Sequence, residues 1–241
     1  MKTDQVFKSP MEKSTDFKFD AQVADVFNDM VGRSVPYYLE MQRMMSEIIP
    51  DCVRPNTSVY DLGCSTGTTL LSLDKLLDQS VRFVGVDSST EMIENSHSNF
   101  RNNGLTRPYD LITADLYKPF EIKNASVVIL CLTLQFIRPL YRLKMLESIY
   151  QQMNDGACLI LIEKILAEDA DLNRKFIRYY YDLKRRNNYD EMEISQKREA
   201  LENVLIPYKL SENIEMLADA GFNKTEVFFK WYNFAGIIAI K

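Results

Sequence analysis

An α/β protein built on one doubly wound, mostly parallel sheet is the fold this sequence predicts. Three observations predict it. From residue 58 to residue 166, short apolar runs alternate with stretches of helical period. The apolar runs are near-continuous rather than alternating, the mark of strands covered by helices on both faces. The first of them, "SVYDLG", runs directly into "CSTGTT" (residues 64–69), a small-residue loop that opens a helix.

Taken in order, residues 1–57 predict a polar tail of about twenty residues, loose or draped, then a helical cover. That cover, "AQVADVFNDMVGRSVPYYLEMQRMMSEII", is broken into two helices by Pro36. Residues 58–166 form the α/β core. "SVYDLG", "VRFVGVD", "YDLITAD", "SVVILCLTLQF" and "ACLILIEKI" read as strands one to five. Between them, "TTLLSLDKLLD", "TEMIENSHSNFRNN" and "PLYRLKMLESIYQQM" read as helices, the last with proline at its start and "NDG" at its end. Residues 167–206 carry no strand signal and predict a helical lid of two or three charged helices, broken near Asn187 and Asn188. Residues 207–241 return to the core: "SENIEMLADAGF" is a short helix ending at Gly221. "KTEVFFKWYNF" and "GIIAIK" are an antiparallel strand pair on a tight turn. The whole is one domain with a seven-stranded sheet.

Composition narrows the function. A net charge of −5 over 241 residues advertises no nucleic-acid surface. The basic run Lys184, Arg185 and Arg186 reads as a solvated, partner-facing helix face. Cys52, Cys64, Cys131 and Cys158 are scattered with no metal-ligand spacing, so no metal site is expected. Cys131 and Cys158 read as buried small hydrophobes. One histidine, His97, lies on a polar helical stretch and reads as solvated. The amino terminus has no apolar signal core and no stretch is long enough to span a bilayer, which predicts a cytoplasmic protein.

The loop after strand one selects the ligand. A P-loop needs a lysine that does not follow Gly67. A dinucleotide site prefers Gly-x-Gly-x-x-Gly, whereas here the spacing is Gly63-x-x-x-Gly67 with Asp61 just before it. That acid opposes a pyrophosphate and suits a ligand carrying an ammonium and a sulfonium. Asp87 ends strand two, placed to accept both ribose hydroxyls, and Asp115 ends strand three, placed to accept from an adenine amino group. With "GVDSS" and "TADL" in register and a final antiparallel hairpin, the chain resembles the Rossmann-like class I S-adenosyl-L-methionine (SAM)-dependent methyltransferases from residue 58 onward.

A narrower resemblance covers nearly the whole chain. "FDAQVADVFNDMVGRSVPYY", "YDLGCS", "NASVVILCLTLQF", "NVLIPYK" and above all "DLKRRNNYDEMEISQKREALENVL" are similar to the carboxy-S-adenosyl-L-methionine (carboxy-SAM) synthase family. The resemblance implies conversion of SAM and prephenate to carboxy-SAM and phenylpyruvate. Prephenate aromatises with loss of carbon dioxide and its ring hydroxyl. The sulfonium acidifies the SAM methyl group, and the ylide left by proton loss captures the carbon dioxide. It also implies a homodimer, with the helical insertion as lid and dimer contact, and a downstream tRNA carboxymethyltransferase that uses the product on wobble uridine. No direct nucleic acid, membrane or metal is implied.

The same resemblance assigns residues. Arg198 matches the position that clamps the new carboxylate, for which a guanidinium fork is suited. Tyr38 matches a tyrosine closing over SAM, with Tyr37 as a competing neighbour. Gly63, Cys64 and Ser65 match the loop under the methionine part, Asp87 and Ser88 the ribose pair, and Asp115 and Leu116 the adenine pair. Cys131 stands where the family usually has asparagine, Ser88 replaces a common asparagine, and Tyr37 stands where glycine is usual. Arg33 is a further candidate for the prephenate carboxylates. Two rivals remain at this point: an ordinary methyltransferase acting on a small molecule or RNA, and a SAM-binding scaffold without turnover.

Overall fold

The structure is a computed structural model and describes residues 2–10 and 16–241. The element order is α1 (Ala21–Ser34), α2 (Tyr38–Cys52), β1 (Ser58–Leu62), α3 (Thr68–Leu73), β2 (Arg82–Asp87), α4 (Thr90–Asn102), β3 (Tyr109–Thr113), β4 (Ala125–Cys131), α5 (Pro139–Gln152), β5 (Met153–Leu166), α6 (Ala170–Arg186), α7 (Glu191–Leu201), β6 (Tyr208–Lys209), α8 (Leu210–Asp219), β7 (Lys224–Trp231) and β8 (Phe234–Ile240). A 3₁₀ turn at Leu134–Phe136 follows β4.

The sheet runs β3-β2-β1-β4-β5-β8-β7, parallel from β3 to β5 and antiparallel across β5–β8 and β8–β7. Its chain reversal between β1 and β4 sets the strand ends where an open α/β sheet binds ligands. β6 is an eighth strand that the sequence did not signal. It contributes only Tyr208 and Lys209 beside Ile165 and Leu166, too short for any periodicity to register. β5 is longer than expected, beginning directly at the end of α5.

Two apolar layers cover the sheet. On one face, Leu146 and Ile149 of α5 and Met216 and Leu217 of α8 pack on Tyr60, Leu62, Val128, Leu130, Leu159 and Leu161. On the other, Met41, Met45 and Ile49 of α2, Leu70 and Leu73 of α3, and Phe100 of α4 pack on Val59, Phe83, Val127, Ile129 and Ile160. Val59 against Tyr60, and Ile129 against Leu130, take opposite faces as the period of two requires. Both faces are apolar, so no alternation is visible in the sequence.

The break at Pro36 falls where expected, with Tyr37 in the left-handed region (φ 53°) between α1 and α2. α3 stops at Leu73, short of the expected Asp78. Arg107, whose side chain is fully buried, donates to the carbonyls of Asp74, Leu77, Asp78 and Val81 and ion-pairs with Asp74, so these carbonyls are satisfied without helix. Of the two expected states, loose or draped, the described tail residues take the second; residues 1 and 11–15 lie outside the described residues. Asp4 and Phe7 are buried, and Gln196 of α7 donates to the carbonyls of Phe7 and Ser9. Phe17 donates its N–H to the carbonyl of Ala200.

Candidate active site

The loop after β1 is built by backbone geometry. Gly63 (φ 83°) donates its N–H to Val86 on β2, and Cys64 donates to the same carbonyl. A Cβ on Gly63 would lie 2.3 Å from Thr133 Oγ1, so no larger residue fits without moving the turn after β4. Ser65 (φ 50°) donates its N–H to Asp87 Oδ2 at 2.9 Å, and its carbonyl accepts from Ser96 of α4 at 2.7 Å. Asn28 of α1 accepts from Thr66, which ties the helical cover to the loop.

These elements enclose a cavity of about 510 Å³. Its lining contains Tyr38, Gly63, Cys64, Ser65, Asp87, Ser88, Asp115, Leu116, Cys131 and Arg198, all expected there, but not Arg33. Six segments that are remote in sequence, α2, the ends of β1 to β4 and α7, thus converge on one volume, of the size that small-molecule sites occupy. Tyr38, not Tyr37, lines it. Tyr37 is 60% exposed and packs edge-on against Trp231. The turn that requires φ 53° at Tyr37 is one that a glycine takes without strain.

The acids differ in their surroundings. Asp87 accepts from the N–H groups of Ser65 and Ser89, and burial still raises its pKa. Asp115 is exposed and accepts from the N–H of Tyr117. Asp61 is 1% exposed, and among the described residues neither carboxylate oxygen has a hydrogen-bond partner. Burial, and then the charge of Asp87, pushes its pKa up to about 7. A carboxylate buried without a donor is costly. It lines the cavity.

The remaining expected residues follow. Cys131 is partly exposed to the cavity rather than sealed in the core; its thiol is held well above its ordinary value by burial and by Asp61. Cys158 is fully buried, as expected. Cys64 is buried beneath the loop, and its thiol is pushed up by burial. Leu116 also packs against the core layer of α5 and α8. Arg198 projects from α7 with its side chain 59% exposed, and its nearest acid is Glu199 at 4.0 Å. His97 is half-buried against Tyr109, away from the cavity.

Two expectations are corrected. Arg33 does not line the cavity. Its guanidinium is spent on Asp29 and on the carbonyls of Asp4 and Asn187, and it stacks over the Tyr189 ring. Lys184 is not on a solvated face. It is 4% exposed and lines the cavity, while its neighbours Arg185 and Arg186 face out. Lys164 and Lys197 line it as well and were missed, because nothing in a strand end or in "SQKR" separates an inward lysine from an outward one. Among the described residues no cluster of histidine, cysteine and carboxylate side chains suits a metal ion.

Comparison with known proteins gives the same class. Residues 59–156 match a family model described as a methyltransferase domain. An O-methyltransferase family protein from Burkholderia thailandensis superposes with a TM-score of 0.69 at 16% identity, over 92% of this chain and 60% of that one. A SAM-dependent methyltransferase from Aquifex aeolicus does so with a TM-score of 0.62 at 18% identity, over 92% and 99%. Those two likenesses speak for the fold alone. Curated relatives speak for the activity. A carboxy-S-adenosyl-L-methionine synthase of Methylococcus capsulatus is 48% identical over 100% of both chains. Those of Campylobacter fetus and Nitratiruptor sp. are 43% and 41% identical over at least 99% of each chain. With a class I methyltransferase sheet, an acid-lined cavity at its strand ends and full-length identity of this order, the chain belongs to the carboxy-S-adenosyl-L-methionine synthase family and is a transferase.

Proposed function

We propose that this enzyme converts SAM and prephenate to carboxy-SAM and phenylpyruvate, with Arg198 as the clamp for the new carboxylate. The single observation that supports SAM binding is Asp61 in the cavity wall, a buried carboxyl with no hydrogen-bond donor among the described residues. In this reading Asp61 faces the ligand's ammonium, and Gly63, Cys64 and Ser65 line the methionine part. Asp87 and Ser88 take the ribose. Asp87 keeps acceptor capacity for this, since each carboxylate oxygen has two lone pairs and its backbone donors use one apiece. Asp115 and Leu116 take the adenine, and Tyr38 and Cys131 close the wall.

The chemistry balances without an added oxidant or metal. Carbon dioxide and hydroxide leave the prephenate ring as it aromatises. The carbon dioxide becomes bonded to the SAM methyl carbon, and the proton lost from that carbon joins hydroxide as water. The chain's task is to hold the reacting groups together and exclude water. The aromatic lining from Phe17, Phe19, Phe27 and Phe136 supports the exclusion. Arg198, with only a distant acid for company, supports a role as carboxylate fork.

The product then serves as carboxymethyl donor to a tRNA-modifying partner enzyme, and the protein works in the cytoplasm as a homodimer. Among the described residues no helix is long and apolar enough to cross a membrane. Light scattering on the purified protein tests the dimer. The main test is incubation with SAM and prephenate followed by mass measurement of the SAM-derived product. A species heavier by one carboxyl group is expected. Arg198→Ala is expected to lower kcat/KM by roughly 10- to 100-fold, the worth of a charge-assisted hydrogen-bond pair. SAM recovered unchanged would overturn the reading and favour plain methyl transfer.

A further inference from the structure

The cavity is electrostatically sorted. Its strand-end acids, Asp61, Asp87 and Asp115, belong to the β1, β2 and β3 side of the sheet. Three lysines belong to the other side: Lys164 near the end of β5, Lys184 on α6 and Lys197 on α7. With strands about 4.8 Å apart, β5 lies about 10 Å from β1.

Buried lysines normally pair with acids. Two of these do not, and the third does so only at the limit of contact. Among the described residues, Lys164 and Lys184 have no ion-pair partner, and their ammonium groups instead flank one ring, that of Tyr180, at 5.1 and 4.8 Å from its centre. Lys197 has a marginal contact of 3.9 Å to Asp4, whose same oxygen already accepts from Tyr189 at 2.7 Å. Among the described residues, the exposed Glu202 is the one acid on this side of the lining, and it makes no ion pair with any of the three. Burial holds all three lysines below their ordinary value, to about 8 for Lys164 and Lys197. For Lys184 the charges of Lys197 and Lys164 add to it. A cavity wall with two ammonium groups that have no ion pair among the described residues, and a third held only by Asp4 at 3.9 Å and the Ser34 hydroxyl at 3.5 Å, is suited to an anion.

In the reading above, SAM's ammonium sits on Asp61, which keeps its adjoining carboxylate towards the β1 side and leaves the lysines for a second anion. We infer that Lys164, Lys184 and Lys197 form the subsite for the carboxylates of a dianionic second substrate, a dicarboxylate of the prephenate class. This inference rests on the two-substrate reading above and adds to it where the second substrate sits. The lysines neutralise the dianion and orient it towards the SAM methyl group, while Arg198 at the exposed edge stays free for the carboxylate of the product.

The test uses the full chain. Calorimetry on the SAM-loaded protein titrates prephenate, phenylsuccinate as an unreactive dicarboxylate, and phenylacetate as a monocarboxylate. The proteins are wild type, Lys164→Met, Lys184→Met and Lys184→Arg, and product mass is measured in parallel. Methionine keeps the stem and removes the charge. The expected result is that both methionine variants bind the two dicarboxylates at least tenfold more weakly. Phenylacetate binds weakly throughout, Lys184→Arg recovers most of the loss, and Kd for SAM moves less than threefold. Lys184→Met should also melt higher than wild type, since it relieves like-charge repulsion; a purely structural lysine would do the opposite. Unchanged dicarboxylate binding in both variants overturns the subsite even if carboxy-SAM forms. A loss of SAM affinity instead assigns the lysines to the first ligand and also overturns it. Lysine-dependent dicarboxylate binding without carboxy-SAM upholds the subsite and overturns prephenate as the carboxyl source.

Discussion

At the scale of single residues, Asp61 and Asp87 are two carboxylates of one cavity wall with opposite surroundings. Asp87 holds the loop through two backbone donors, whereas Asp61 has none and is almost fully buried. The sequence showed an acid before Gly63 and its suitability for a cation, but not that it would be orphaned. That depends on β2, β4 and α2 closing around it. A folded-state value of about 7 against an ordinary 3.8 means that Asp61 favours folding below about pH 4. That contribution is lost as pH rises to about 7, on the order of a few kcal/mol. Asp87, raised by burial, acts in the same sense. Asp61→Asn is therefore expected to raise the melting temperature of the ligand-free protein at pH 8 and to flatten its decline between pH 5 and 8. SAM affinity should fall at least tenfold in the variant, and in the wild type it should weaken as pH drops below about 7. Melting curves across this range, with calorimetry of SAM binding, check both; a variant that melts lower at pH 8 would make Asp61 a support of the fold and not a ligand group.

At the scale of elements, α7 is the one that carries both Lys197 and Arg198, and its start is fixed by side chains. Asp190 accepts from the N–H of Glu193, and Glu193 accepts from the N–H of Asp190, a reciprocal cap. What the sequence hid is which face turns inward. The buried positions of α7 are Glu193, Ile194, Lys197 and Ala200, at helical spacing but half of them charged, so no apolar stripe marks the face. The same holds for Tyr180 and Lys184, the buried residues of α6. The strands, by contrast, were readable because both faces of the sheet are apolar. Asp190→Ala should cost about 1 kcal/mol of stability. Because frayed α7 displaces Lys197 and Arg198 but none of the SAM-facing loop, KM for the second substrate should rise severalfold with Kd for SAM unchanged. Steady-state kinetics beside a denaturation curve read both effects. Equal changes in the two ligands would mean that the cap supports the whole cavity instead of one wall.

At the scale of the whole molecule, the tail ties the parts of the site together, and it was the part least legible in advance. Its composition is polar, and a polar segment with no period gives no sign of docking. Yet Asp4 is 2% exposed and reaches three elements. Its N–H donates to Asp29 of α1 at 2.7 Å, its carbonyl accepts from Arg33, and its carboxylate accepts from Tyr189 at the α6–α7 junction and lies near Lys197. The junction itself turns through Asn188 in the left-handed region (φ 65°), where a side chain carries strain, so external contacts are needed to hold it. The sheet makes none of these contacts. Deleting residues 1–10 should therefore leave the α/β core intact, with far-UV circular dichroism and Kd for SAM nearly unchanged. The α6–α7 junction should open locally, as segments with few buried contacts do. Trypsin should then cut after Lys184, Arg185 or Arg186 at least tenfold faster than in the full chain. Carboxy-SAM formation should fall with it, because Lys184 and Lys197 lose their fixed positions. Asp4→Ala should reproduce a large part of both effects with the rest of the tail present. If trypsin cuts the truncated and full-length proteins at the same rate, the insertion holds itself closed. The tail would then be a passenger on the surface, and the buried contacts of Asp4 would have no consequence for the site.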